Sequence, residues 1–276
     1  SENIAVEVAI AYNSEDGVFE LGAAIVDIHL FGEERNDAPL WNLNGAGLVV
    51  GQFDVPFGID LNYYPSIDRK LISGPSVVGY THDGWNDFGV QYYMDVNFAN
   101  FVTYWVNGFE SSFEITDLSL ATELGLSVGD EVDDTPLDAF GWRLGVTPLS
   151  YLEVGGSFAL GWNSEHQNEM SLFGVDGQFE WAGLFVKSEY IIHQKHKTIA
   201  KEEDKGFYAQ ALYSFGKPFA TFRYGGTRFE GVTDWAESYT IGAGYVLTDG
   251  AEVRAEYLIN DESIPDNLSM QLVVGF

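Results

Sequence analysis

The chain lacks cysteine altogether and carries few basic residues. Without cysteine there is no disulfide framework, no thiol catalysis and no cysteine-based zinc site. Lys and Arg together number 13 against 42 Asp and Glu, which gives a formal net charge of −29 at pH 7. Because proteins bind nucleic-acid phosphates through Lys and Arg, this balance makes nucleic acid a poor partner.

Long apolar runs are also missing, since no stretch of about 18 residues is apolar enough for a membrane-spanning helix. Aromatic residues are plentiful instead, with 20 Phe, 15 Tyr and 7 Trp, and there are 31 Gly. Membrane β-barrels place aromatic side chains at both interfaces and glycine where strands bend. The composition therefore fits a barrel in which lipid-facing and lumen-facing side chains alternate.

Apolar and polar residues alternate almost from end to end, which predicts strands and not helices. Near the C-terminus, for example, Leu268, Met270 and Leu272 fall on one face and Ser269 and Gln271 on the other. About fourteen such segments follow one another, each long enough to cross a bilayer as a tilted strand. The predicted spans are 2–13, 18–32, 40–56, 84–97, 100–110, 139–149, 150–163, 169–181, 184–194, 206–215, 218–229, 237–248, 251–260 and 267–276.

The connections alternate between short and long, as in bacterial barrels with short periplasmic turns and longer outer loops. The long outer loops are predicted at about 57–83, 111–138 and 195–205. This pattern predicts an even number of strands with both termini in the periplasm. Because lipid satisfies no unpaired backbone groups, the sheet is expected to close. The fold predicted for residues 1–276 is a single all-β domain, a transmembrane antiparallel up-and-down β-barrel.

Two local features refine this prediction. The alternation in the second strand changes phase near Ala24 and Ile25, which predicts a β-bulge there. The last strand ends in phase on Phe276, which resembles the C-terminal signal for outer-membrane assembly.

The segment GQFDVPFG at residues 51–58 is the most distinctive motif in the chain. Pro56 removes a donor from the ladder and ends the strand, and Gly58 lets the chain turn inward. Together with residues 64–71, this region resembles the phosphate-selective porin O/P family over about residues 40–97. The resemblance implies an outer-membrane porin whose strand leads into a loop that carries an Arg.

Faces assigned by alternation give the lumen about three acids for each base, so a cation-preferring pore is expected and the family's anion selectivity does not transfer. The predicted lumen acids are Glu7, Glu20, Asp27, Asp54, Asp87, Asp95, Glu153, Asp176, Glu180, Glu189, Glu252 and Glu256, and the bases are Arg143, Lys187, Arg223 and Arg254. For the bases, the alternative is a network of ion pairs that stiffens the wall.

A pore constriction is predicted where the motif enters its loop, at Asp54, Asp60, Asp68, Arg69 and Lys70. Mixed charges there could orient polar solutes as they pass. The alternative is a set of loop salt bridges that brace the fold.

The sequence indicates no metal site, cofactor or catalytic site. The acidic loop 111–138 could bind Ca²⁺ or bridge lipopolysaccharide through divalent ions, but it matches no EF-hand. The histidines His166, His193 and His196 lack a third ligand at a suitable spacing. No Gly-x-Ser-x-Gly elbow occurs, so an enzyme is not expected.

Two functions remain. The first is an outer-membrane porin, surrounded by lipid and lipopolysaccharide, for passive diffusion of small hydrophilic solutes or cations. The second is a non-conducting barrel that holds a partner protein, for example an electron-transfer protein, in the outer membrane. A homo-oligomer is compatible with either function.

Overall fold

The computed structural model describes residues 3–13, 18–32, 45–60, 69–82, 84–108, 138–162, 169–196, 201–261 and 265–274. Within these residues, fourteen strands form one antiparallel sheet in which each strand pairs with its neighbours in chain order. The strands are β1 (Ile4–Asn13), β2 (Val18–Gly32), β3 (Gly45–Asp54), β4 (Asn86–Val96), β5 (Ala99–Val106), β6 (Asp138–Leu149), β7 (Leu152–Trp162), β8 (Glu169–Trp181), β9 (Leu184–His196), β10 (Lys201–Ser214), β11 (Pro218–Arg228), β12 (Ala236–Thr248), β13 (Ala251–Asn260) and β14 (Asn267–Val274). A short helix, α1 (Ser76–Thr81), lies between β3 and β4.

The predicted up-and-down order of about fourteen strands is confirmed. One predicted loop is wrong, because β9 and β10 run through most of 195–205 and leave only 197–200 between them. The two strands pair as far as Lys201 with His196, so alternating polar residues there belong to the ladder. The predicted outer loop 111–138 lies outside the described residues except for Asp138.

The turns between paired strands have the backbone geometry that tight hairpins require. Ala182 and Gly183, between β8 and β9, have φ angles of 53° and 83°. Asn97, between β4 and β5, has a φ of 53°. Both connections are short, in agreement with the predicted alternation of short and long connections.

A β-bulge interrupts the pairing of β1 with β2. Ala9 pairs with Ala23, and the next residue, Ile10, pairs with Leu21, so Gly22 is the extra residue. The bulge was predicted near Ala24 and Ile25 and lies two residues before Ala24. An extra residue shifts the alternation by one position, which is the phase change visible in the sequence.

The two faces of the sheet differ in chemistry. Large apolar side chains such as Val6, Phe88, Ile241 and Met270 are exposed on the outer face. The inner face carries charged side chains, many of them buried. Apolar residues facing outward are what a barrel in lipid requires. Among the described residues, no helix is both long and apolar enough to cross a bilayer.

The observed pairs within the described ranges join β1 to β2 and β13 to β14, but none joins β1 to β14. Ring closure and the periplasmic position of both termini therefore stay predictions.

Candidate functional site

The chain between β3 and β4 folds against the inner face of the sheet. We call residues 55–85 the inward loop, of which 55–60, 69–82 and 84–85 are described. The loop turns at Gly58, whose φ is 68°. The Gly58 N–H donates to the Ser157 hydroxyl (3.0 Å), and its carbonyl accepts from Arg143 Nε (3.0 Å). Both partners are buried inner-face residues, so the loop lies against the inner face of the sheet.

Apolar side chains of the inward loop pack against apolar side chains of the wall and form a core inside the barrel. The loop contributes Phe57, Val77, Val78 and Trp85 to a buried cluster. The wall contributes mainly strands β3 to β10, through Val49, Phe53, Tyr93, Val102, Tyr104, Val106, Ala139, Ala159, Leu172, Ile191 and Tyr208. Burial of side chains of this size stabilises the folded loop by roughly 1.5–3 kcal/mol each.

Asp60 joins the loop to the wall through two cations. Lys187 Nζ of β9 lies 2.5 Å from Asp60 Oδ1, and Arg69 Nη2 of the loop lies 2.7 Å from Asp60 Oδ2. Burial raises the pKa of Asp60, but the charges of Lys187 and Arg69 more than offset this and bring the pKa below its ordinary value. Asp60 is therefore held as an anion between the loop and β9.

A second ion-pair cluster lies on β6, β7 and β8. Arg143 Nη2 donates to Asp176 Oδ1 at 2.6 Å and lies 3.5 Å from Glu153 Oε1. The Arg143 side chain is fully buried. Because its Nε also binds the Gly58 carbonyl, Arg143 links two wall carboxylates to the turn of the loop.

The returning arm of the loop is attached to the far wall. Lys70 Nζ lies 2.5 Å from Glu252 Oε2 on β13. The carboxylate of Glu256, also on β13, accepts the N–H groups of Ile72 (2.6 Å) and Ser73 (3.0 Å). Arg223 of β11 donates to the carbonyl and to the hydroxyl of Ser73, each at 2.8 Å. The inward loop is thus held at both ends, from β6 across to β13.

Comparison with known protein families assigns this fold. The family described as "S-layer protein SlpA, beta-barrel domain" matches residues 78–246, which is more than half of the chain. The chain belongs to this family. The match begins within α1 and ends within β12, so it includes wall residues that hold the inward loop. No curated protein matches the sequence.

Solved structures with the same fold include a porin and an outer membrane protein. The anion-selective porin from Comamonas acidovorans is 11% identical, with 99% of this chain and 79% of that chain covered and a TM-score of 0.67. A loop L8 deletion mutant of OmpT, an outer membrane protein of Vibrio cholerae, is 12% identical, with 99% and 86% covered and a TM-score of 0.66. OmpF of Salmonella typhi, in complex with daunomycin, is 11% identical, with 98% and 95% covered and a TM-score of 0.58.

These likenesses show the fold, and the exposed apolar outer face agrees with it. The family member described here shares the antiparallel up-and-down strand order of these barrels. The resemblance of residues 40–97 to the phosphate-selective porin O/P family is not confirmed, since the family that matches is the S-layer barrel.

Within this S-layer barrel family member, the structure brings together three of the five residues predicted at the constriction. Asp60, Arg69 and Lys70 belong to the inward loop and bind the wall. Asp68 lies outside the described residues. The predicted lumen position of Asp54 is wrong.

Asp54 is exposed on the outer face, where Asn86 Nδ2 donates to it at 2.7 Å. Its neighbour Phe53 points inward and is buried in the apolar cluster. Alternation would place Asp54 in the lumen only if Phe53 faced lipid, and Phe53 is instead buried in the apolar cluster inside the barrel.

The twelve residues predicted to line the pore all lie on the inner face, but most do not contact open water. Asp87 and Asp95 are half-buried and Glu180 is exposed. The cations are buried and bind the loop or wall carboxylates, which favours the predicted ion-pair network over a row of pore-lining charges. The remaining wall residues of this set are Arg143, Glu153, Asp176, Lys187, Glu189, Arg223, Glu252, Arg254 and Glu256.

Sequence reasoning missed several residues that shape the lumen. Ser157 carries no motif, and its role is visible only from the loop that reaches it. His82 is buried at the end of α1, where Thr81 Oγ1 lies 2.8 Å from its Nδ1, and burial lowers the pKa of His82 to about 4. In the described part of the chain, no three His, Asp or Glu side chains are arranged to hold a metal ion.

Proposed function

We propose that the chain is an outer-membrane channel through which small hydrophilic solutes diffuse passively, and that the inward loop narrows it. The observation that carries this proposal is the attachment of the loop to inner-face residues of β6, β7, β9, β11 and β13. Breaking a single buried ion pair costs about 3–5 kcal/mol, so a loop held by several is a fixed constriction. The outer-membrane fold supports the same proposal.

We propose further that the channel prefers cations. The net charge of −29 gives the whole barrel a negative field, and the exposed inner-face groups include Glu7 and Glu180. A negative field raises the local concentration of cations at the pore. The buried cations do not oppose this preference, because wall and loop carboxylates compensate them. The proposal assigns the chain no catalytic reaction, metal or cofactor.

Planar-bilayer recording tests the channel. The purified barrel should give stable current steps, and a salt gradient should give a reversal potential of the sign expected for cations. A barrel that inserts but never conducts would contradict the channel. A reversal potential of the opposite sign would contradict the cation preference alone.

The family description as an S-layer protein favours a second function, a structural barrel that anchors a surface layer or a partner protein. The densely packed lumen between β6 and β11 is compatible with such a function. A silent barrel that elutes from a detergent column with a partner, or as a defined assembly of several copies, would support this function over the channel.

A further inference from the structure

The inner face of the barrel is sealed on one side. Ala159, Leu172 and Ile191, on the inner faces of β7, β8 and β9, pack in one cluster with the inward loop and have no exposed surface. Lys187 and Arg143 are equally enclosed. Solutes are therefore excluded from these side chains.

The inner face is open on the opposite side. Ala5, Glu7 and Ala9 of β1 are exposed, although they lie on the inner face. Their face follows from pairing, because Ala5 is opposite the buried Asp27 and Glu7 is opposite Ile25, which packs against the interior cluster. Cross-strand partners share a face of the sheet.

Strand β14 continues this open surface. Gln271 is exposed and pairs with Arg254, whose side chain is buried on the inner face of β13. The boundary with the sealed side is the ion pair between Lys70 and Glu252, whose side chains are 32% and 11% exposed. The loop is attached to β13 through Lys70 and the N–H groups of Ile72 and Ser73.

We propose that the permeation route of this channel is off-centre and runs along the inner face of β1 and β14, with Lys70 and Glu252 at its edge. This inference rests on the proposed channel function and on the predicted closure of the sheet between β1 and β14. The solutes it admits are small hydrated cations and uncharged polar molecules. Glu7 contributes to the charge preference, because it is an exposed carboxylate on this wall.

The absence of cysteine allows a direct test with single engineered thiols. Ala5→Cys and Ala9→Cys place a thiol on the proposed route, and Ala159→Cys is the matched control on the sealed inner face. The probe is a methanethiosulfonate reagent that carries a trimethylammonium group. We expect it to label Ala5→Cys and Ala9→Cys completely by mass and to lower their conductance at least twofold. Ala159→Cys should stay unlabelled and its conductance unchanged.

The charge preference has its own control. Glu7→Gln should move the reversal potential measurably towards zero. Asp54→Asn removes the same charge from the outer face and should leave the reversal potential unchanged.

Each other outcome overturns a defined part of the proposal. Complete labelling of Ala5→Cys without a change in current overturns the route but leaves the channel. Labelling of Ala159→Cys with loss of current overturns the route as well, because the solutes then pass on the side described as sealed. No current from the unmodified barrel overturns the channel function itself, and the route with it.

Discussion

Asp60 is the residue on which two buried cations converge, and its removal should weaken the attachment of the loop. Asp60→Asn leaves Lys187 and Arg69 buried without their counter-charge, which typically costs about 3–5 kcal/mol. Asp54→Asn is the matched control, because Asp54 is exposed on the outer face and surface changes usually stay within about 0.5 kcal/mol. Urea unfolding in detergent, followed by tryptophan fluorescence, measures both variants. Equal losses would contradict the assigned role of Asp60.

The same carboxylate predicts an acid dependence of stability. Its pKa in the folded barrel is below the ordinary value of 3.8, so Asp60 stabilises the fold above that pH. This contribution is lost as the pH falls below 3.8 and the native carboxylate takes up a proton. The native barrel should therefore lose more stability than Asp60→Asn between pH 5 and pH 2. Parallel pH profiles for the two proteins would refute this assignment.

Single residues also show where prediction from sequence ends. Alternation placed the wall charges Arg143, Lys187 and Glu189 on the correct face, because charge is excluded from the lipid side. It failed at Phe53 and Asp54, because an apolar side chain can be buried in lipid or in a packed lumen. The distance between the loop and β3 decides whether the side chain is buried in lipid or in the lumen, and that distance cannot be read from the sequence.

Among the structural elements, the inward loop depends on one backbone turn. Gly58 and Gly84 have φ angles of 68° and 67°, so a side chain costs backbone strain of about 1–2 kcal/mol at either position. A Cβ at Gly58 would overlap the carboxylate of Glu189, whereas one at Gly84 meets no atom within 4 Å. We expect Gly58→Ala to lower the stability well beyond Gly84→Ala.

Limited proteolysis and urea unfolding distinguish the two variants. In Gly58→Ala the loop should become susceptible to protease added from outside, while Gly84→Ala should stay resistant. Comparable behaviour of the two would mean that backbone strain alone, and not the contact with Glu189, fixes the turn.

The strands themselves were predictable because the side chains of each strand alternate between the two faces of the sheet with a period of two. The residues at which strands end were harder to predict, and β9 and β10 are the clearest case. Most residues from 195 to 205 are polar, yet Lys195, His196 and residues 201–205 pair in register, with Lys201 opposite His196. A ladder that extends beyond the bilayer needs no apolar face, so the hydrophobic pattern stops before the strand does.

For the whole molecule, the orientation of the two faces to lipid and to water can be tested with adjacent residues of β1. Val8 is exposed on the outer face near the middle of the strand, and Glu7 is exposed on the inner face. Arg at the bilayer midplane costs a barrel about 2–4 kcal/mol, whereas a lumen substitution changes selectivity with little cost in stability. Val8→Arg should therefore lower the free energy of unfolding in lipid vesicles by about that amount.

Glu7→Arg should leave the stability near that of the native barrel and should move the reversal potential towards anions. The two substitutions introduce the same side chain at consecutive positions, so chain position and residue type are matched. If Val8→Arg proved harmless and Glu7→Arg destabilising, the outer face assigned to β1 would be the inner one. Because cross-strand partners share a face, that result would also reverse β2 and, through its pairing, the rest of the sheet.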